Sequence, residues 1–67
     1  MIEVMVNGER RQVAAGSTVG DLLVDFGCYL RMVAVEHNGA ILPCACYART
    51  SLVAGDRLEI VHFVQGG

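Results

Sequence analysis

A chain of 67 residues makes one small domain, able to bury only about 60% of the surface its unfolded form exposes and too small for an internal active-site cleft. Hydrophobic residues make up 54% of it, with one proline and no low-complexity run, which excludes wholesale disorder. Five scattered arginines stand against seven acidic residues for a formal charge of −2, so the basic footprint of a nucleic-acid binder is missing.

Ile2, Val4 and Val6 alternate with Met1, Glu3 and Met5, the period-two pattern of a strand with one buried face. Asn7-Gly8 follows, a strong hairpin signal because a type I′ turn needs positive φ at both central positions. The return strand is expected over Glu9 to Ala14, short and edge-like, with Arg11 and Gln12 in its middle. Gly16-Ser17-Thr18 breaks it. Thr18 and Asp21 fit a capping box, and Val19, Leu22, Leu23 and Phe26 recur at helical spacing, so a helix begins there and lays an apolar stripe on the core. Gly27 stands where a left-handed residue ends such a helix.

Met32 to His37 alternates again, with Val33 and Val35 on one face and Ala34 and Glu36 on the other, and Asn38-Gly39 is a second turn signal. His37, beside that turn, reads as simple surface. Ile41 and Leu42 extend this third strand or pair briefly with a neighbour, and Pro43 opens an irregular segment through Tyr47. A short fourth strand is expected around Thr50 to Leu52, then a turn at Ala54-Gly55-Asp56, then a final strand from Arg57 to Val64. In that strand Leu58 and Ile60 share one face, while Glu59, Val61 and Phe63 share the other. The order ββαββ predicts an α+β fold, a mixed sheet gripping one helix in the β-grasp manner, with the first and last strands parallel neighbours in mid-sheet. Residues 1–64 form the domain and residues 65–67 a flexible Gly-Gly tail.

That tail, Gly66-Gly67, is a chemical handle. With no side chain at either position, a terminal carboxylate can be threaded into another enzyme's narrow active site. The chain contains no lysine, so self-conjugation through side-chain amines is excluded. No apolar stretch approaches the roughly 18 residues that span a bilayer, and MIEVMVNG lacks the basic region and apolar core of a signal peptide; a cytoplasmic protein without a membrane partner is expected. Cys28, Cys44 and Cys46, odd in number and irregular in spacing, read as reduced thiols. A lone Cys44-x-Cys46 is not the paired spacing of a zinc site, and three cysteines fall short of the four an iron–sulfur cluster needs, so no metal is expected. If Leu58 and Ile60 pack under the helix, then Val61, Phe63 and Met5 form an apolar patch on the opposite sheet face, a docking surface beside the tail; loop cover or self-association is the alternative. His62 reads as a solvent-edge or hydrogen-bonded side chain. No nucleophile, base and orienting group fall at recognisable spacings, so the chain is read as a substrate protein and not as an enzyme.

Taken together, these residues resemble the ubiquitin-like sulfur carrier proteins, specifically the ThiS type of thiamine biosynthesis. The resemblance runs nearly end to end. It rests on the opening strand into Asn7-Gly8-Glu9, Ser17-Thr18-Val19 with Asp21-Leu22-Leu23, Val33-Ala34-Val35-Glu36 with Asn38-Gly39, Ile41-Leu42-Pro43, Gly55-Asp56-Arg57 with Glu59-Ile60, and Gly66-Gly67. One segment departs from the family pattern: Pro43 to Ala48 carries two cysteines and Tyr47 where many members have charged or polar residues and a tryptophan, although Tyr47 keeps an aromatic plug.

The resemblance implies that a ThiF-type adenylyltransferase uses ATP and magnesium to adenylate the Gly67 carboxylate, the chain itself binding no cofactor. Sulfur from a cysteine desulfurase relay then replaces AMP, and a thiazole synthase consumes the resulting thiocarboxylate. Partner contacts are expected from Gly66, Gln65, Val64, Phe63, Val61 and Met5, and the free chain is expected to be a monomer. Further readings stay open: a carrier of the molybdopterin-synthase small-subunit type or of another sulfur pathway, a ubiquitin-like interaction module whose tail is never activated, and a modifier conjugated to lysines of other proteins.

Overall fold

Both Asn-Gly pairs bend the chain as their composition demands. In the computed structural model, which describes residues 1–63, Asn7 and Gly8 have φ of 51° and 81°, and Asn38 and Gly39 have 52° and 87°. The first turn joins β1 (Ile2–Val6) to β2 (Glu9–Val13), with Val6 opposite Glu9. The second joins β3 (Val33–His37) to β4 (Ala40–Leu42), with His37 opposite Ala40.

Between the hairpins lies α1 (Val19–Asp25). Its capping box is complete: the Asp21 N–H donates to Thr18 Oγ1 at 3.1 Å and the Thr18 N–H donates to Asp21 Oδ2 at 3.0 Å. Its other end is a Schellman motif. Gly27 takes φ of 73°, its N–H donates to the Val24 carbonyl, and the Cys28 N–H donates to the Leu23 carbonyl, each at 2.9 Å.

The last strand, β5 (Arg57–His62), inserts between the hairpins, giving the strand order β2-β1-β5-β3-β4. It runs parallel to β1 and antiparallel to β3, so the sheet is mixed, as expected. Val4, Val6, Val33, Val35, Leu58 and Ile60 from the sheet meet Val19, Leu22 and Leu23 from α1 in one core, closed by Tyr47 and Leu52. Val64, the last residue of the expected final strand, and the expected tail at residues 65–67 lie outside the described residues.

Three expectations need correction. Thr50 to Leu52 is not a strand: only Ser51 forms a single bridge, to Thr18. The flanking backbone is used elsewhere, the Thr50 carbonyl accepting from the Val19 N–H at 2.9 Å and the Leu52 N–H donating to the Ser17 carbonyl at 2.8 Å, so this segment braces the start of α1. The short strand before β5 is instead β4, Ala40–Leu42, so the order among the described residues is ββαβββ and not the expected ββαββ. Finally, His37 is not simple surface, because its Nε2 lies 3.1 Å from Oδ2 of the buried Asp56 and its side chain is only 22% exposed.

The segment after Pro43 is a short 3₁₀ helix, Cys44–Arg49, that carries Tyr47 inward to donate its hydroxyl to the Val33 carbonyl at 3.3 Å. It packs on α1 at Gly20, where an added Cβ would lie 3.4 Å from the Tyr47 carbonyl oxygen. No helix among the described residues is long and apolar enough to cross a membrane.

Candidate functional site

Alternation along β5 divides its side chains cleanly. Leu58 and Ile60 enter the core, while Val61 is 59% exposed and Phe63, just past the strand, is 54% exposed. The strand end is held in place, because His62 pairs with Val33, Val61 with Ala34, and the Phe63 N–H donates to the Met32 carbonyl at 2.9 Å. Phe63 is thus the last described point from which the chain continues toward Gly66-Gly67.

A second feature meets this point. β4 stops at Leu42, opposite Val35, and Pro43 turns the chain away, so beyond Val35 the far edge of β3 loses its partner. An open apolar hollow of about 370 Å³ lies there, with Ala34, Ile41, Pro43 and Phe63 among its walls and Val33, Val35 and Tyr47 reaching it from the core. Ile41 is 81% exposed. Burial, with Cys44 nearby, pushes the Tyr47 hydroxyl above its ordinary pKa against the opposing effect of the Val35 backbone, which keeps it a neutral donor. The hollow offers shape and a mostly apolar surface, with Arg31 and Cys44 also in its lining.

The expected patch therefore has different members. Val61 and Phe63 are joined by Ala34 and Ile41 across the sheet. Met5 is not among them: it pairs in parallel register with Arg57 and lines a separate hollow of about 230 Å³ with Gly8, Arg57 and Glu59. At the rise of a strand, Val61 lies roughly 13 Å further along β5. One signal could have revealed Ile41, since a two-residue turn at Asn38-Gly39 puts it opposite Glu36 on the outward face. Val64, Gln65, Gly66 and Gly67 lie outside the described residues.

The strand leading to this site is gripped from both sides by the turn asparagines. Asn7 Oδ1 accepts from the Ile60 N–H at 2.7 Å and its Nδ2 donates to the Ile60 carbonyl at 3.1 Å. Asn38 Oδ1 accepts from the Arg57 N–H at 2.9 Å and its Nδ2 donates to Asp56 Oδ1 at 3.1 Å. All three cysteines are free, with Cys28 Sγ 3.4 Å from His62 Nε2. Among the described residues, no three His, Cys, Asp or Glu side chains gather as metal ligands.

With this geometry in hand, the relatives are informative. Residues 4–67 match the ThiS family. A protein of Paramagnetospirillum magneticum named thiazole synthase is 44% identical over 66 residues, 98% of this chain and 20% of that protein, so this chain spans about a fifth of that relative's length. The sulfur carrier protein ThiS of Bacillus subtilis is 40% identical over 50 residues, covering 75% of this chain and 76% of that one. The crystal structure of the thiamine biosynthesis protein (ThiS) from Geobacter metallireducens superposes with a TM-score of 0.82 at 30% identity, over 98% of this chain and 100% of that one.

Proposed function

This chain belongs to the ThiS family, and from that premise we propose that it carries sulfur as a thiocarboxylate on Gly67 and delivers it for thiazole formation. The observation that carries the proposal is that the family match runs through residue 67, taking in Gly66 and Gly67.

The chemistry follows from the carboxylate. Its charge is delocalised and its oxygens leave badly, so sulfur cannot displace one directly. A ThiF-type adenylyltransferase, supplying ATP and magnesium from its own active site, converts the carboxylate to an acyl adenylate. Sulfur handed on from a cysteine desulfurase as a persulfide then attacks the acyl carbon and AMP departs with the bonding pair; a thiol of the relay cleaves the resulting acyl disulfide, releasing the thiocarboxylate and being itself oxidised to a disulfide. The product thiocarboxylate is a better nucleophile than the carboxylate it replaces, and the protein body keeps a reactive sulfide equivalent from diffusing away. Gly66 and Gly67 allow the close approach this requires.

The hollow beside Phe63 would be the docking surface for the activating enzyme, with the body acting as a handle and no side chain of it entering the reaction. Thiazole synthase is the proposed acceptor; a stretch like this whole chain lies within a protein of that name.

Intact-protein mass spectrometry after incubation with a ThiF-type enzyme, ATP and a sulfide source tests the reading. The expected result is the mass difference of one sulfur replacing one oxygen, located at Gly67 and absent when Gly67 is deleted. Equal thiocarboxylate yield from the deletion would sink the assignment.

A further inference from the structure

Two residues that the tail chemistry does not use are brought together by independent parts of the fold. Cys28 follows the left-handed glycine that ends α1, and the Cys28 N–H bond to the Leu23 carbonyl at 2.9 Å fixes its place. His62 ends β5 and is fixed by its pairing with Val33. The result is a half-buried thiol with Sγ 3.4 Å from Nε2 of an exposed imidazole. A nucleophile and a base within hydrogen-bond reach is the arrangement that activates a thiol.

We infer that Cys28 is a covalent modification site for disulfides, with His62 as the base that takes the thiol proton. In the tautomer protonated on Nδ1, Nε2 accepts that proton as Sγ attacks one sulfur of the incoming disulfide. The new Cys28 sulfur–sulfur bond forms, the old one breaks, and the second sulfur leaves as a thiolate with the bonding pair. The proton passes from His62 to that thiolate, so Cys28 is oxidised, the disulfide is reduced and no further reactant is needed.

The other two thiols lack this base. Cys44 is exposed, but its Sγ faces the Leu30 carbonyl oxygen at 3.6 Å, a group that accepts a hydrogen bond without removing the proton. Cys46 lies 4.0 Å from Arg49 Nη2, a donor. Exposure alone therefore ranks Cys44 first, and the base ranks Cys28 first.

The test treats the full chain with a limited amount of oxidised glutathione, stops the reaction in acid at intervals, and locates the adducts by peptide mass spectrometry. The expected first adduct is at Cys28, ahead of Cys44. His62→Gln should lower the rate at Cys28 about tenfold relative to Cys44 in the same molecules. His62 is exposed, so the thermal midpoint of the variant should not move; if it does, the order in the unaltered chain decides alone. First reaction at Cys44 or Cys46, or an unchanged ratio in a folded His62→Gln variant, would overturn the inference.

Discussion

Asn7 does two jobs that a glycine could only half fill. Its backbone supplies the positive φ of a type I′ turn, and its side-chain amide closes a two-bond ring with Ile60, as a neighbouring strand would. Asn7→Gly keeps the turn and orphans both Ile60 groups, so a loss of about 1–3 kcal/mol is expected in urea unfolding; an unchanged midpoint would show that water replaces the amide fully. Asn38 is tied to Asp56, a buried carboxylate whose ionisation makes stability depend on pH. Burial raises the Asp56 pKa, but the Val53 N–H, His37 and Asn38 outweigh it and hold it below the ordinary carboxylate value. A depressed folded pKa means the contribution is fully present above the unfolded value and is lost as pH falls through the folded one. Stability should therefore decline below about pH 4 through this group, and Asp56→Asn should flatten that part of the curve while lowering the plateau above it. The turn role of both asparagines was legible in the Asn-Gly pairs. Their grip on β5 was not, because Asn7 and Ile60 meet only once the parallel register is known.

At the scale of elements, α1 shows how local signals and tertiary contacts share control. Thr18, Asp21 and Gly27 sit where the sequence pattern puts the caps, since capping chemistry involves neighbours three or four residues apart. Gly20 is different: a glycine inside a helix has no local justification, and the 3₁₀ segment that carries Tyr47 packs close enough over it to leave room for a methyl group but not for a long side chain. A methyl group there would meet the Tyr47 carbonyl oxygen at 3.4 Å, an ordinary van der Waals contact, so Gly20→Ala should be neutral or stabilising by up to about 1 kcal/mol from helix propensity. Gly20→Leu should lower the thermal midpoint by several degrees by prising Tyr47 off the core. A bulky residue tolerated at no cost would mean the segment is not packed as described. Long-range pairing also explains the misread strand. Thr50 to Leu52 and Ala40 to Leu42 are both three-residue stretches too short for a clear periodic signal, and the partners waiting for them, the start of α1 and the edge of β3, decide which becomes a strand.

Across the whole molecule, the sheet works as a mount that carries β5 through the centre and presents one apolar region where that strand leaves. Alternation in the sequence was enough to put Val61 and Phe63 outside, because period two fixes the face. It could not fix distance along the face, which is why Met5 was grouped with them and Ala34 and Ile41 were not. Ile41 buries little area, so Ile41→Asp should change stability by no more than about 0.5 kcal/mol, whereas Phe63 is nearly half buried and Phe63→Asp should cost about 1–2 kcal/mol. If the hollow is where the activating enzyme docks, each should weaken binding at least tenfold, or about 1.4 kcal/mol, because a carboxylate would be desolvated against an apolar partner surface. Met5→Gln, in the other hollow, should leave affinity within twofold. Titration calorimetry of the three variants against a ThiF-type enzyme separates the outcomes. Weakening by Met5→Gln alone would move the docking face to the β1 side of the sheet, and no effect from any of the three would leave the tail as the whole recognition element.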